Sequence, residues 1–501
     1  MNRTGTHSLT GRISQAPTEL LHEEVLAPQF DYDVTHLLPF YLHMEKALLL
    51  EYVRLGVLST GDARAIATAL HEVSAASLTA DRQSNLSDLS FAIEVAVGRR
   101  LPEPVPAWRV DRSRNDFQAC GQLQLGRAQT VKTAEELLAC AAAVHELAIL
   151  HAYDPMPGYT HLQPAQVITP AFFLSAVCEH LLHSAERLLV CYEGWDAAPL
   201  GAGAMAGQQL PWDRHRLAEL LGFAKPAPHA LTAVASRGWL LELAAECATF
   251  GIGMSRFVTD LMTWAGGQHA FVSLPDEMAA ISSAMPQKKN YPILERLRGK
   301  SSHALSWYVD SATTQRATPF SNTVEVSKES GAQMVQQLSG LRSMLRLATA
   351  VFGHLSFDTA RLREACGEDY LGAFALANEL TLADGIPWRE AQVITGAYVL
   401  AAQRTDRPAT CPDPESLLSI AAAHGHEAGH SAAALEGLLR PEAELERKAT
   451  AGSTAPHSTM AVLQRQKERI GELTADWTRR REVPEAAARH VDQLLGLGAP
   501  S

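Results

Sequence analysis

Helical periodicity sustained over unusually long stretches constrains this chain most. In Leu174, Cys178, Leu181, Ala185 and Leu188, and again in Met334, Leu338, Leu341, Leu345, Ala348 and Phe352, apolar residues alternate at spacings of four and three. That pattern is the seam of nearly parallel packed helices. Thr169 followed by Pro170 predicts an N-cap with proline at the first helical position, where the missing N–H is not needed. A second long helix is expected from about Asp116 to Ala152, stopping before Pro155. The segment Arg237 to Trp264 is apolar on nearly all sides through Leu240, Leu243, Cys247, Phe250, Met254, Phe257 and Leu261, which predicts a helix in the middle of a bundle. Strand-type alternation is nearly absent, so an all-α chain built on a central bundle of long helices is expected.

At 501 residues the chain exceeds one ordinary core, and its 47% hydrophobic content is ample for several. The Pro-rich stretch Leu101 to Pro106 and the turn at Gly353 to Asp358 divide it into an expected N-terminal helical domain (1–110), a central long-helix domain (111–357) and a C-terminal helical domain (358–501). A net charge of -12 argues against nucleic-acid binding, which needs a basic face to replace counterions. Cys120, Cys140, Cys178, Cys191, Cys247, Cys366 and Cys411 show no C-x-x-C spacing and read as reduced thiols of a cytoplasmic protein. No apolar leader or membrane-spanning stretch is expected.

Three polar clusters interrupt the helical pattern: Arg112 to Asp116, Gly158 to Pro164 and Ser282 to Asn290. The last carries two hydroxyls (Ser282, Ser283), two ammonium groups (Lys288, Lys289) and a carboxamide (Asn290), on a segment that Pro286 keeps out of a helix. It offers an oxygen that abstracts a proton beside donors that stabilise the resulting negative charge, the chemistry of an elimination. Arg112 and Arg114 at a helix start oppose the macrodipole, so a bound carboxylate is expected there. The first two clusters flank a helix of about 36 residues, which holds its ends roughly 50 Å apart. A site using all three clusters therefore requires more than one chain. His426-Glu427-Ala428-Gly429-His430 matches the H-E-x-x-H pattern of zinc hydrolases, but Gly425 and Gly429 undermine the rigid helix such a site needs, and no metal is assigned.

With these motifs on the page, the chain resembles argininosuccinate lyase within the aspartase/fumarase superfamily. The resemblance rests on Ser113-Arg114-Asn115-Asp116, Met156 to Gln166, Pro199 to Gly207, Ser282 to Asn290, and Gly452 to Pro456. It implies a three-domain aspartase/fumarase-like chain, a homotetramer with a multi-helix core and active sites shared between subunits. The implied activity is release of fumarate from an anionic N-succinyl substrate without a cofactor or metal, reversible in principle. Ser282 would remove the Cβ proton, aided by Lys288 and by a helix N-terminus near Ser282 that lowers the hydroxyl pKa. Lys288, Asn290 and Thr160 would hold the enediolate, and His161, oriented by Glu295, would support proton transfer or bind a carboxylate. Ser113, Arg114, Asn115, Arg237 and Ser283 would line the pocket.

The amine end departs from the family pattern. Ser87-Asp88-Leu89-Ser90 stands for Glu-Asp-Ile-His, Phe117 for a Gln, Ile281 for a Gly and Tyr291-Pro292 for Pro-Asp. Phe320 and Glu325 stand for a Tyr and a Gln while Lys328 is retained, and the N-terminal S-x-x-x-D pattern is missing near Phe30 to Leu37. Such changes in a hydrogen-bonding site alter which amine is accepted. Arginine, another N-succinyl amine, or an aminopolycarboxylate such as ethylenediamine-disuccinate all remain open. A non-catalytic structural relative is the reading from another class, against which Ser282, Lys288, Asn290 and His161 speak.

Overall fold

The structure, a computed structural model, describes residues 12–498. The elements that frame the site, in chain order, are α1 (Ala27–His36), α2 (Leu38–Arg54), α3 (Leu89–Gly98), α4 (Arg114–Leu150), the strands β1 (Met156–Thr160) and β2 (Gln163–Ile168), α5 (Pro170–Gly194) and α6 (Gly238–Ala265). There follow the short strands β3 (Ala280–Ile281) and β4 (Lys289–Asn290), then α7 (Pro292–Gln315), α8 (Met334–His354) and α9 (Thr359–Glu368). Helices from Ala373–Leu382 to Gly429–Leu439 form a separate apolar cluster, and α10 (Pro456–Leu494) closes the chain.

The expected seams are buried: Leu174, Cys178, Leu181, Ala185 and Leu188 on α5, and Met334 through Phe352 on α8. Thr169 caps α5 by accepting from Phe172 N at 3.0 Å, with Pro170 in the first turn. α4 packs on α5, α8 and α10, and α6 packs on α5 and α7. Gly126 lets α4 and α6 approach, because a Cβ there would collide with the Trp239 ring. The long α10 returns to the bundle and shares its apolar cluster, so its contacts cross the expected boundary at 358. α6 is not enclosed in one chain as its composition predicts: Thr249, Ile252, Arg256, Thr259 and Thr263 form an exposed stripe. Six cysteines are buried and Cys411 is exposed.

Two local expectations fail. Residues 156–168 form an antiparallel hairpin rather than an irregular helix boundary, with a register shift between Gly158 and Tyr159. Arg112 does not await a ligand carboxylate, since it makes two 2.7 Å hydrogen bonds to fully buried Glu45, which also pairs with Arg109 at 3.2 Å. Burial pushes the Glu45 carboxyl up, but the guanidinium groups of Arg112 and Arg109 outweigh it and hold it below its ordinary value. Glu45→Ala would leave the buried Arg112 guanidinium unpaired, while Arg109 keeps Glu94 at 3.0 Å, and the loss costs about 3 kcal/mol. The urea midpoint is expected to fall accordingly, and an unchanged midpoint would overturn this role for the pair.

Candidate active site

The alternating direction of the long helices sorts the polar clusters to two ends. At the start of α4, Ser113 accepts from Asn115 N at 3.1 Å and so caps the helix. The following Asp116 is buried and accepts from Gly201 N (3.0 Å) and Gly203 N (2.9 Å), pinning the 199–207 turn there. Burial raises its carboxyl to about 6, although these amides pull the other way. Gly203 has φ +66°, and a Cβ on it would strike the Gly207 carbonyl. Asn115 Nδ2 donates to Ala204 O at 3.0 Å and its Oδ1 accepts from Asn322 Nδ2 at 3.1 Å. Arg237, just before α6, reaches the same Asn322.

Arg114 pairs with Asp88 at 2.9 Å, lies over the Phe91 ring and is more than half exposed, which leaves it able to meet an anion. Lys328 donates to Asp33 Oδ2 at 2.9 Å, and Gln29 donates to the other oxygen of Asp33 at 2.8 Å. Sequence reading missed Asp33 and Asn322; the four-residue spacing from Gln29 was the available signal for the first. Phe320 and Glu325 are exposed, and Ser90 is buried near the start of α3. Backbone and Thr323 hydrogen bonds hold the Glu325 carboxyl below its ordinary value, and Lys328 is engaged elsewhere. A cavity of about 280 Å³ is lined by Tyr32, Gln122, Arg237, Val326, Lys328 and Glu329.

The other end carries the remaining residues. His151, at the end of α4, packs on Phe357, which pairs with Val272 beyond α6, so the ends of α4, α6 and α8 lie together. There the β1–β2 hairpin turns through His161 and Leu162, both at positive φ (53° and 63°). The favoured two-residue hairpin turns place a central residue there, a conformation uncommon for side chains elsewhere. The turn leaves Thr160 and His161 exposed. The 282–288 loop connects β3 to β4, paired Ala280 with Asn290 and Ile281 with Lys289. Ser282 Oγ accepts from Met285 N at 3.1 Å and Ala284 N at 3.4 Å. No helix begins at Ser282; the nearest start is Pro292, and the turn amides take the place expected of a helix N-terminus. Lys288 and Ser283 stand on this open loop, and Lys289 is drawn to Asp276 at 2.8 Å. Glu295 is exposed in the first turn of α7, and no hydrogen bond joins it to His161 among the described residues. The two ends are separated by the 37 residues of α4, about 55 Å.

The H-E-x-x-H stretch does not form a helical face. Its helix starts only at Gly429, after Gly425 at positive φ, and His426 bonds Glu390 at 2.6 Å.

A protein family described as lyase matches residues 42–305. Argininosuccinate lyase of Chromobacterium violaceum is 30% identical over 470 residues, covering 93% of this chain and 99% of that protein. Among solved structures, an EDDS lyase variant with bound fumarate superimposes with a TM-score of 0.84 at 25% identity, covering 98% of this chain and 97% of that one. The class II fumarase of Schistosoma mansoni shares the fold, with a TM-score of 0.68 at 14% identity over 83% of this chain and 94% of the other. The chain belongs to the aspartase/fumarase superfamily of lyases, among the relatives of argininosuccinate lyase.

Proposed function

We propose that this chain is a carbon–nitrogen lyase that eliminates fumarate from an N-substituted aspartate. The observation that carries the reading is Ser282, whose oxygen faces two amides on an exposed loop with Lys288 and Asn290 close in sequence. Donors aimed at an oxygen stabilise its alkoxide, which a hydroxyl needs to act as base near neutral pH. Ser282 takes the Cβ proton, Lys288, Asn290 and Thr160 hold the enediolate, and the C–N electron pair leaves with the amine. His161 acts with Glu295; Arg114 and Asn115, at the far end of the long helix, come from another chain of a homotetramer. Exposed Ile252 of α6 and the exposed Leu305, Tyr308 and Val309 of α7 supply apolar surface for that assembly. The elimination moves one proton and one electron pair, so neither a cofactor nor a metal is needed. A cytoplasmic setting fits the unpaired thiols. Fumarate release from a panel of N-substituted aspartates tests the reading, and no release from any of them sinks it.

A second observation bears on the amine. Glu325 lies exposed without a cation among the described residues, Phe320 lacks a phenolic donor, and the EDDS lyase resemblance extends over nearly the whole chain. A negative carboxylate favours a cationic or diamine leaving group over the α-carboxylate of arginine. Two lost hydrogen bonds of about 1 to 3 kcal/mol each lower kcat/KM for argininosuccinate by roughly 10² to 10⁴ relative to the best N-succinyl diamine. A kcat/KM highest for argininosuccinate returns the chain to arginine metabolism.

A further inference from the structure

Arg237 is 3% exposed, and its hydrogen bonds all go to neutral acceptors of its own chain. Its Nε donates to Gln122 Oε1 (3.0 Å), one terminal nitrogen to Val234 O and Ser236 O (3.0 Å each), and the other to Asn322 Oδ1 (3.2 Å). A guanidinium carries donors only, so any amide beside it must turn its oxygen inward and its nitrogen away. Both neighbours do. Gln122 Nε2 then donates to Ser327 O at 2.5 Å, one residue before Lys328. Asn322 Nδ2 then donates to Asn115 Oδ1 at 3.1 Å, which leaves Asn115 Nδ2 to meet Ala204 O at 3.0 Å. One N–H of that amide remains for a ligand.

We propose that Arg237 and Asn322 are positioning residues, a relay that fixes the direction of the Asn115 amide so that it presents an N–H, not a carbonyl oxygen, to the substrate carboxylate. This rests on the proposed lyase reading for the identity of that carboxylate. Arg237, placed in the pocket by family resemblance, acts from behind it. The relay also ties α4 and the 322–328 segment to the start of α6, so the residues facing the amine and those facing the succinyl group are set by one buried cation.

Asn322→Asp tests it at unchanged size. The aspartate still accepts from Arg237 but has no N–H for Asn115, whose amide must reverse to donate to it and then faces Ala204 O with its own oxygen. The new carboxylate meets a buried guanidinium, so folding is not the weak step. KM for the best N-substituted aspartate is expected to rise about tenfold with the thermal midpoint at or above wild type, while in an Asn115→Ala background the same substitution shifts KM by less than about twofold. A wild-type KM in Asn322→Asp, or equal penalties in both backgrounds, overturns the relay and leaves the lyase reading standing. A wild-type protein that releases no fumarate sinks the lyase reading instead. A crystal structure of the variant needs no turnover: Asn115 withdrawn from Ala204 O supports the relay, and Asn115 in its original place removes it.

Discussion

Ser282→Ala is expected to lower fumarate release by about 100-fold or more while substrate affinity and the thermal midpoint stay near wild type. The loop geometry accounts for both halves of that outcome. Ser282 Oγ bonds only amides of its own turn, and the β3–β4 pairing on either side does not depend on it. Removing the hydroxyl therefore costs little folding energy, yet it removes the one oxygen on the loop that two amides already polarise. Ser283 has no such hydrogen bonds among the described residues and is not expected to substitute. Near-normal turnover in the alanine variant would mean that another group is the base, and the elimination would have to be rebuilt around it.

Mixing two inactive proteins is expected to restore activity. Arg114 and Ser282 lie at opposite ends of a helix of 37 residues, so a site that uses both must take them from different chains. When Arg114→Ala and Ser282→Ala chains are dissociated and reassociated at equal amounts, ~1/4 of the sites combine an intact Arg114 from one chain with an intact Ser282 from another. The same mixture of wild type with either single variant controls for reassembly. Verified mixed oligomers that stay inactive would place both residues in one chain's site, which the direction of the helices forbids, or would remove one of them from catalysis.

Much of the fold was legible because it is local. A 3.6-residue period, a threonine before a proline, and a serine before Arg114 each act within one or two turns, so α4, α5, α6 and α8 begin and end close to where the residues predict. The same locality exposed the Ser282 loop, since Pro286 cannot continue a helix. The β1–β2 hairpin was hidden by Pro157 and Pro164, which weaken the strand pattern, and by strands too short to show alternation.

The sequence by itself determined which segments are helices, which faces are apolar and which residue types gather at the breaks, because each follows from neighbours within a few positions. Tertiary structure alone decided which side chains meet. Glu45 finds Arg112 across 67 residues, Arg237 finds Asn322 across 85, Asn322 finds Asn115 across 207, and Lys328 finds Asp33 across 295. Periodicity says that a face is buried but not which polar group will lie opposite at a helix crossing. Burial then makes the answer strict, since a charge withdrawn from water needs a partner in one geometry. That is why Arg112 proved to be occupied by Glu45, while Arg114, two residues on, stayed more than half exposed.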